Sequence, residues 1–264
     1  MAYTELFGNP AHRTFLRRGE NLWRVVQGHP RYAYYGTVVS LSDPGEDTAE
    51  IMTSLARLQG LGMCFYYPKT GATALLAGLK AKGLRTAQSL YHRGGRAAYE
   101  ASKTLLNSKT APENLTISRL DATTPETVIK ATVELCQSCG LSAMPGEIMR
   151  GSVIPGINLI ATDVSGTPVA TAASYAMHAP DTPRATEAFW GVLATQKDYR
   201  GQGLAARLGA LAIVYMWENE GMRAFNTGIK AENLASQAAC AKLGVLNTDW
   251  VTAFCFDDER LAAQ

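Results

Sequence analysis

Apolar and polar positions alternate most clearly in the second half of the chain. Leu115-Thr-Ile-Ser-Arg-Leu alternates and is rich in β-formers, which predicts a strand. Thr124-Pro125-Glu126 then predicts the start of a helix, running to Cys139: a capping side chain, a proline at the first position and an acid in the first turn. Met144-Pro145-Gly146 breaks the chain before a short helix through Met149. Ile157 to Asp163 reads as a strand, Val164-Ser-Gly-Thr-Pro as a turn and Val169 to Met177 as the hairpin partner. Glu187 to Thr195 is dense in apolar residues and predicts a central strand. From Gly203 to Glu220 the period becomes helical, with Leu204, Leu208, Leu211 and Tyr215 on one face. Ala224 to Ile229 reads as a strand, Glu232 to Leu243 as a helix and Trp250 to Phe256 as a last strand. This alternation implies a mixed sheet with helices on both faces.

The first half is less legible. Tyr32 to Leu41 reads as a strand, Thr48 to Leu58 as a helix, Gly62 to Tyr67 as a strand, Thr70 to Lys82 as a helix and Thr86 to His92 as a strand. Residues 107–114 are polar and aperiodic and read as a linker. Two domains are therefore expected, at 1–110 and 111–264. The order of elements in the first repeats that of the second, which leaves open a degenerate second copy or an unrelated α/β domain. The acidic Ser42-Asp-Pro-Gly-Glu-Asp there would repel a phosphate.

With 264 residues, 47% hydrophobic and 18% charged, the chain has enough apolar mass for real cores. A formal net charge of +2 gives no ground for nucleic acid or an anionic membrane as a partner. Five cysteines, an odd number without framework spacing, make a reduced cytoplasmic compartment the expectation. Cys136 and Cys139 form one CxxC with no second ligand pair, so two packed thiols and no metal are expected. No signal peptide is read at the N-terminus. The apolar stretch Leu208 to Trp217 is too short to span a bilayer.

The candidate chemistry lies in Arg200-Gly201-Gln202-Gly203-Leu204-Ala205-Ala206. A helix N-terminus leaves backbone N–H groups unpaired and carries partial positive charge. An anion bound there satisfies both. Gly201 and Gly203 keep side chains out of its way, Ala205 and Ala206 stay small beneath it, and Arg200 adds a cation. The same glycines also fit the G-x-G-x-x-A of a dinucleotide-binding oxidoreductase. Against that reading, Gln196 to Arg200 separates the strand from the first glycine, and no acid ends the next strand.

Thr195 to Leu208 resembles the coenzyme A signature of the GNAT superfamily of N-acetyltransferases, with Arg200, Gly203 and Ala205 at its defining positions. Asn233 to Gly244 is similar to that family's downstream helix motif. The resemblance covers about residues 115–257. It implies an α/β (α+β) fold: a mixed, mostly antiparallel sheet flanked by helices, to which the element pattern of the first half adds a second, smaller α/β domain at the N-terminus. It also implies acetyl-CoA or another acyl-CoA as co-substrate and no metal. The pyrophosphate would lie on the amides from Gly201 to Ala206. Pantetheine would run beside Leu193, Ala194 and Thr195. Asn233 would hold pantetheine or a water, with Ser236 near the phosphate end.

The reaction so implied is direct attack of an amine on the thioester. It needs a base, an oxyanion donor and a proton for the leaving thiolate. Glu187 is the candidate base, placed on one strand face with Phe189, Gly191 and Leu193; His178 and Asp181 are lesser ones. A backbone N–H near Leu193 would be the oxyanion donor. Relatives often carry tyrosine where this chain has Cys240, a departure that leaves Tyr199 or water as alternative proton donors. The expected acceptor is a small-molecule or peptide amine, and the expected assembly a monomer or homodimer. A non-catalytic acyl-CoA-binding regulator is the competing reading.

Overall fold

A single ten-stranded sheet carries the whole chain in the computed structural model, which describes residues 2–108 and 114–263. In chain order the elements are α1 (Pro10–Val26), β1 (Tyr32–Ala33), β2 (Ser40–Leu41), α2 (Thr48–Gln59), β3 (Leu61–Pro68), α3 (Lys69–Ala81), β4 (Arg85–Gly94) and α4 (Arg96–Ser108). They continue with β5 (Thr116–Arg119), α5 (Glu126–Ser138), α6 (Gly146–Met149), β6 (Gly156–Thr162), β7 (Pro168–Ala176) and β8 (Glu187–Thr195). After a 3-10 turn at Lys197–Tyr199 come α7 (Leu204–Asn219), β9 (Ala224–Ile229), α8 (Leu234–Lys242), β10 (Leu246–Phe256) and α9 (Asp258–Ala262). Only β2–β3 and β8–β9 pair in parallel; the other neighbours are antiparallel, giving the mixed, mostly antiparallel sheet expected.

The strand order is β1-β2-β3-β10-β4-β9-β8-β7-β6-β5. The last strand is thus bonded between two strands of the first half, and β4 lies between β9 and β10. The order β3–α3–β4–α4 repeats β8–α7–β9–α8. Each copy carries one non-glycine residue at positive φ, Tyr66 (58°) in β3 and Val192 (54°) in β8. Both sit at a register shift where two residues face one on the neighbour, so both are β-bulges.

Several first-half expectations change. Tyr32 to Leu41 is not one strand. The chain leaves the sheet after Ala33: Tyr34 N–H donates to the Met177 carbonyl, and the Gln59 side chain takes both the N–H and the carbonyl of Val39. Gly36, at φ 115°, turns the chain against Met144 and Ile148. Helix α1 has no counterpart among the expected elements, although Asn9 caps it through the His12 N–H and Pro10 opens it. Asn107 and Ser108 belong to α4 rather than to a linker; residues 109–113 of that stretch lie outside the described residues.

One apolar cluster sits between the sheet and α4, α7 and α8, centred on Trp190, Leu208, Ile213 and Phe225. A second lies on the side of α5 and α6, around Ile129, Ile148 and Tyr175. The buried face of α7 runs through Leu204, Leu208, Gly209, Ala212, Ile213 and Met216, while Leu211 and Tyr215 are only partly buried. Gly209 is required: a Cβ there would stand 2.6 Å from Trp190 Cζ2, and its carbonyl accepts the Trp190 indole N–H at 2.9 Å. This close approach fixes α7, and the turn before it, against β8.

Candidate functional site

Strands β8 and β9 pair only over Glu187–Phe189 and Ala224–Asn226. Beyond Phe189 the edge of β8 that faces β9 has no strand partner. The bulge at Val192 bends β8 there and turns its side chains over. Phe189 and Val192 pack with the α5 cluster, whereas Leu193 packs with the α7 cluster. Leu193 therefore does not share a face with Glu187, Phe189 and Gly191 as strict alternation predicts; the extra residue of the bulge shifts the parity.

The split opens into a cavity of about 540 Å³. It brings together Leu193, Thr195, Tyr199, Arg200, Gly201, Gly203, Leu204, Ala205, Ala206, Asn233 and Ser236, with Cys139 and Lys242 beside them. Gln202 is exposed and Ala194 buried, and neither lines it.

Gly201 (φ 80°) and Gly203 (φ 78°) both adopt the left-handed conformation that disfavours other residues. A Cβ at either meets no protein atom within 4 Å, so both face open space. Gly203 heads α7 without a side-chain cap. After Arg200 N–H to the Lys197 carbonyl, the next backbone bond along the chain is Arg207 N–H to the Gly203 carbonyl, so the amides of Gly201 to Ala206 have no hydrogen-bond partner among the described residues. Arg200 Nε donates to the Thr195 carbonyl at 3.0 Å, tying the turn to the end of β8. The Thr195 hydroxyl is buried without a hydrogen-bond partner among the described residues. Unpaired amides, an orphaned hydroxyl and two open glycines fit a diphosphate followed by a polar chain.

Asn233 caps α8, its side chain accepting the Ser236 N–H at 3.1 Å while it also lines the cavity. Cys240 is buried and does not line it, and burial pushes its thiol up to about 12. Cys139 is half-buried and its thiol lies 3.7 Å from the Thr195 carbonyl; the other four thiols are buried.

Glu187 does not line the cavity either. It is 3% exposed, and its Oε1 accepts from Tyr91 (2.8 Å), Tyr66 (3.0 Å) and Asn226 (3.2 Å). Its Oε2 pairs with Arg93 at 3.0 Å. The Tyr66 hydroxyl also lies 3.0 Å from His178 Nε2. Burial, and then the Glu187 charge, push the Tyr66 hydroxyl well above its ordinary value. Burial holds His178 down to about 4. Asp181 is exposed and joins none of these groups.

Tyr66, Tyr91 and Arg93 come from β3 and β4, so the first half of the chain surrounds the second half's carboxylate. Sequence reading missed all three. The available signal was a lone asparagine, Asn226, inside an otherwise apolar strand, which needs a buried polar partner. Among the described residues no group of three or more His, Cys, Asp or Glu is placed to hold a metal, and no helix is long and apolar enough to cross a membrane.

Residues 153–245, spanning β6 to α8, match the model of the acetyltransferase (GNAT) family. No curated protein matches the sequence. Among solved structures, a tandem GNAT protein from the clavulanic acid biosynthesis pathway is 15% identical with a TM-score of 0.54; the alignment covers 78% of this chain and 66% of that one. A GCN5-related N-acetyltransferase from Kribbella flavida is 16% identical with a TM-score of 0.55, over 95% of this chain and 96% of that one. A GCN5-related N-acetyltransferase-like protein from Streptococcus suis is 17% identical with a TM-score of 0.54, over 86% and 82%. At these identities the likeness is one of fold.

Proposed function

From the GNAT acetyltransferase domain that this chain carries over residues 153–245, we propose that it transfers an acyl group, acetyl first among them, from acyl-CoA to an amine. The carrying observation is the turn at Gly201 to Gly203, whose unpaired amides head a long helix at the rim of a cavity that reaches the β8 edge left free beyond Phe189. The diphosphate would lie on those amides, with Arg200 and Lys242 as flanking cations. Pantetheine would follow the unpaired edge of β8, and the Thr195 hydroxyl gains its partner there.

The amine attacks the thioester carbonyl, and a backbone N–H of β8 near Leu193 receives the developing oxyanion. No carboxylate or histidine is among the cavity-lining residues. Water therefore takes the ammonium proton, or the amine arrives neutral, and Glu187 acts from outside as a positioning residue. Cys240, buried with a raised thiol, is a poor proton donor. Tyr199 adjoins Arg200 at the phosphate end of the cavity, remote from the thioester. The leaving thiolate, whose conjugate acid has a pKa of roughly 8.5, then takes its proton from solvent.

Binding and turnover test separate parts of this reading. Titration with acetyl-CoA, with NAD and S-adenosylmethionine as controls, is expected to show saturable binding of the acyl-CoA alone. A thiol-release assay over a panel of amines is expected to find one acceptor. Binding without thiol release across a broad panel would mark a non-catalytic acyl-CoA-binding protein instead.

A further inference from the structure

A second cavity, of about 360 Å³, opens beside the start of β8, at the far end of that strand from the glycine turn. His178, Thr182 and Arg184, from the β7–β8 connection, line one side; Ser42 and Asp43, which follow β2, line the other. Neither half of the chain builds it alone.

Arg184 is the informative residue. It is half-buried, and its guanidinium has no ion pair and no hydrogen bond among the described residues. Instead it lies 3.5 Å from the Tyr66 ring centroid and 5.9 Å from that of Trp250. Stacking occupies the flat face of a guanidinium and leaves its in-plane N–H donors unspent. Tyr66 is itself held by His178 and Glu187, so the cation has a rigid seat. Asp43 is exposed, and its carboxylate makes no hydrogen bond or close ion pair among the described residues; Arg31 holds its backbone carbonyl and feels its charge, but is itself paired with Asp47. The Ser42 and Thr182 hydroxyls each donate to a backbone carbonyl, which leaves their lone pairs free to accept. One cavity thus presents a cation and an anion that are not paired with each other.

We propose that this cavity binds a small zwitterion, an amino acid or short peptide, with its carboxylate bidentate on Arg184 and its ammonium on Asp43. A planar guanidinium suits a carboxylate in this geometry. The volume lies at the small end of ligand pockets, which begin at roughly 300 Å³. A ligand with a single charge leaves either Arg184 or Asp43 unmatched. The zwitterion has two sources: it is the amine that the acyl group reaches, or it is held unreacted as an effector. The cavity borders the strand that also lines the acyl-CoA cavity, so both are chemically open. The binding itself does not depend on acyl transfer.

The test uses the full chain. The common L-amino acids and L-alanyl-L-alanine are titrated singly by calorimetry, with n-butylamine and butyrate as singly charged controls. At least one zwitterion is expected to bind saturably, and each control at least about tenfold more weakly, the loss of one good charged contact. Arg184→Gln and Asp43→Asn are each expected to lose about tenfold in affinity or more. Asp43→Asn lies on an exposed loop and leaves the melting temperature unchanged, so its loss is not one of folding. Acetyl-CoA affinity stays at the parent value in both variants, which separates this cavity from the glycine turn. Addition of acetyl-CoA to the loaded protein then assigns the source: an acylated zwitterion is the acceptor, an intact one the effector, and both keep the site. No zwitterion binding, or undiminished affinity in both variants, overturns the proposal. Absence of acetyl-CoA binding overturns the proposed function alone.

Discussion

At the scale of single residues, Gly201 and Gly203 are constrained by backbone conformation rather than by crowding. An added Cβ meets open space at both, while φ near 80° disfavours any L side chain. Gly203→Ala is expected to cost about 1–2 kcal/mol of stability and, on the proposed function, to lower acetyl-CoA affinity further by placing a methyl group where the diphosphate would rest. Denaturant unfolding and calorimetry on the one variant separate the two effects. His178 supplies a pH dependence. Its ordinary value is 6.5 and burial lowers it to about 4, so between these the unfolded chain binds the extra proton. Stability therefore falls as the pH drops from 6.5 towards 4, and this contribution levels off below. His12 and His92 are shifted the same way by burial and add to the slope. His178→Gln is expected to flatten part of it in urea titrations at stepped pH; an unchanged slope would assign the dependence to the other groups.

Among elements, the contact of α7 with β8 decides where the glycine turn stands. Gly209 lets the helix lie directly on Trp190. Gly209→Ala forces a methyl group into a fully buried ring and is expected to cost about 1–3 kcal/mol. It should also weaken acetyl-CoA binding, because the turn moves with the helix. The bulge of β3 places Tyr66 between His178 and Glu187, joining β3, β8 and the β7–β8 connection through one hydroxyl. Tyr66→Phe leaves the buried Glu187 carboxylate short of one donor and is expected to cost about 1–3 kcal/mol. Equilibrium unfolding measures that loss. Acetyl-CoA affinity should hold, since Tyr66 is remote from the glycine turn.

For the whole molecule, the decisive feature is that β10 completes both halves. It is bonded to β3 on one side and β4 on the other, and β4 in turn covers β9. A chain lacking residues 1–110 therefore loses both strand partners of β10 and one of the two of β9, exposing apolar edges. It is expected to aggregate or to show molten far-UV and near-UV spectra rather than to retain acetyl-CoA binding. A soluble, cooperatively melting fragment 111–264 would refute this coupling. Placed between β3 and β4, β10 also fills the position that corresponds in the first half to the β8–β9 split. No second split of that kind exists among the described residues.

The Thr124 cap expected for α5 does not form: Pro125 takes the capping position, and the Thr124 hydroxyl accepts the Asp121 N–H instead. What the amino-acid sequence determined alone was local: the order of elements after residue 115 and the glycine turn before α7. Each rests on contacts within a few residues, where alternation, glycine and capping side chains act directly. Helix α1 is equally local, signed by Asn9 and Pro10. Tertiary structure decided the rest. The insertion of β10, the parity shift at Val192 and the assembly of Tyr66, Tyr91, Arg93 and His178 around Glu187 join groups tens of residues apart. Such pairings depend on which strand edges meet in space, and strand periodicity is the same whichever neighbour it finds.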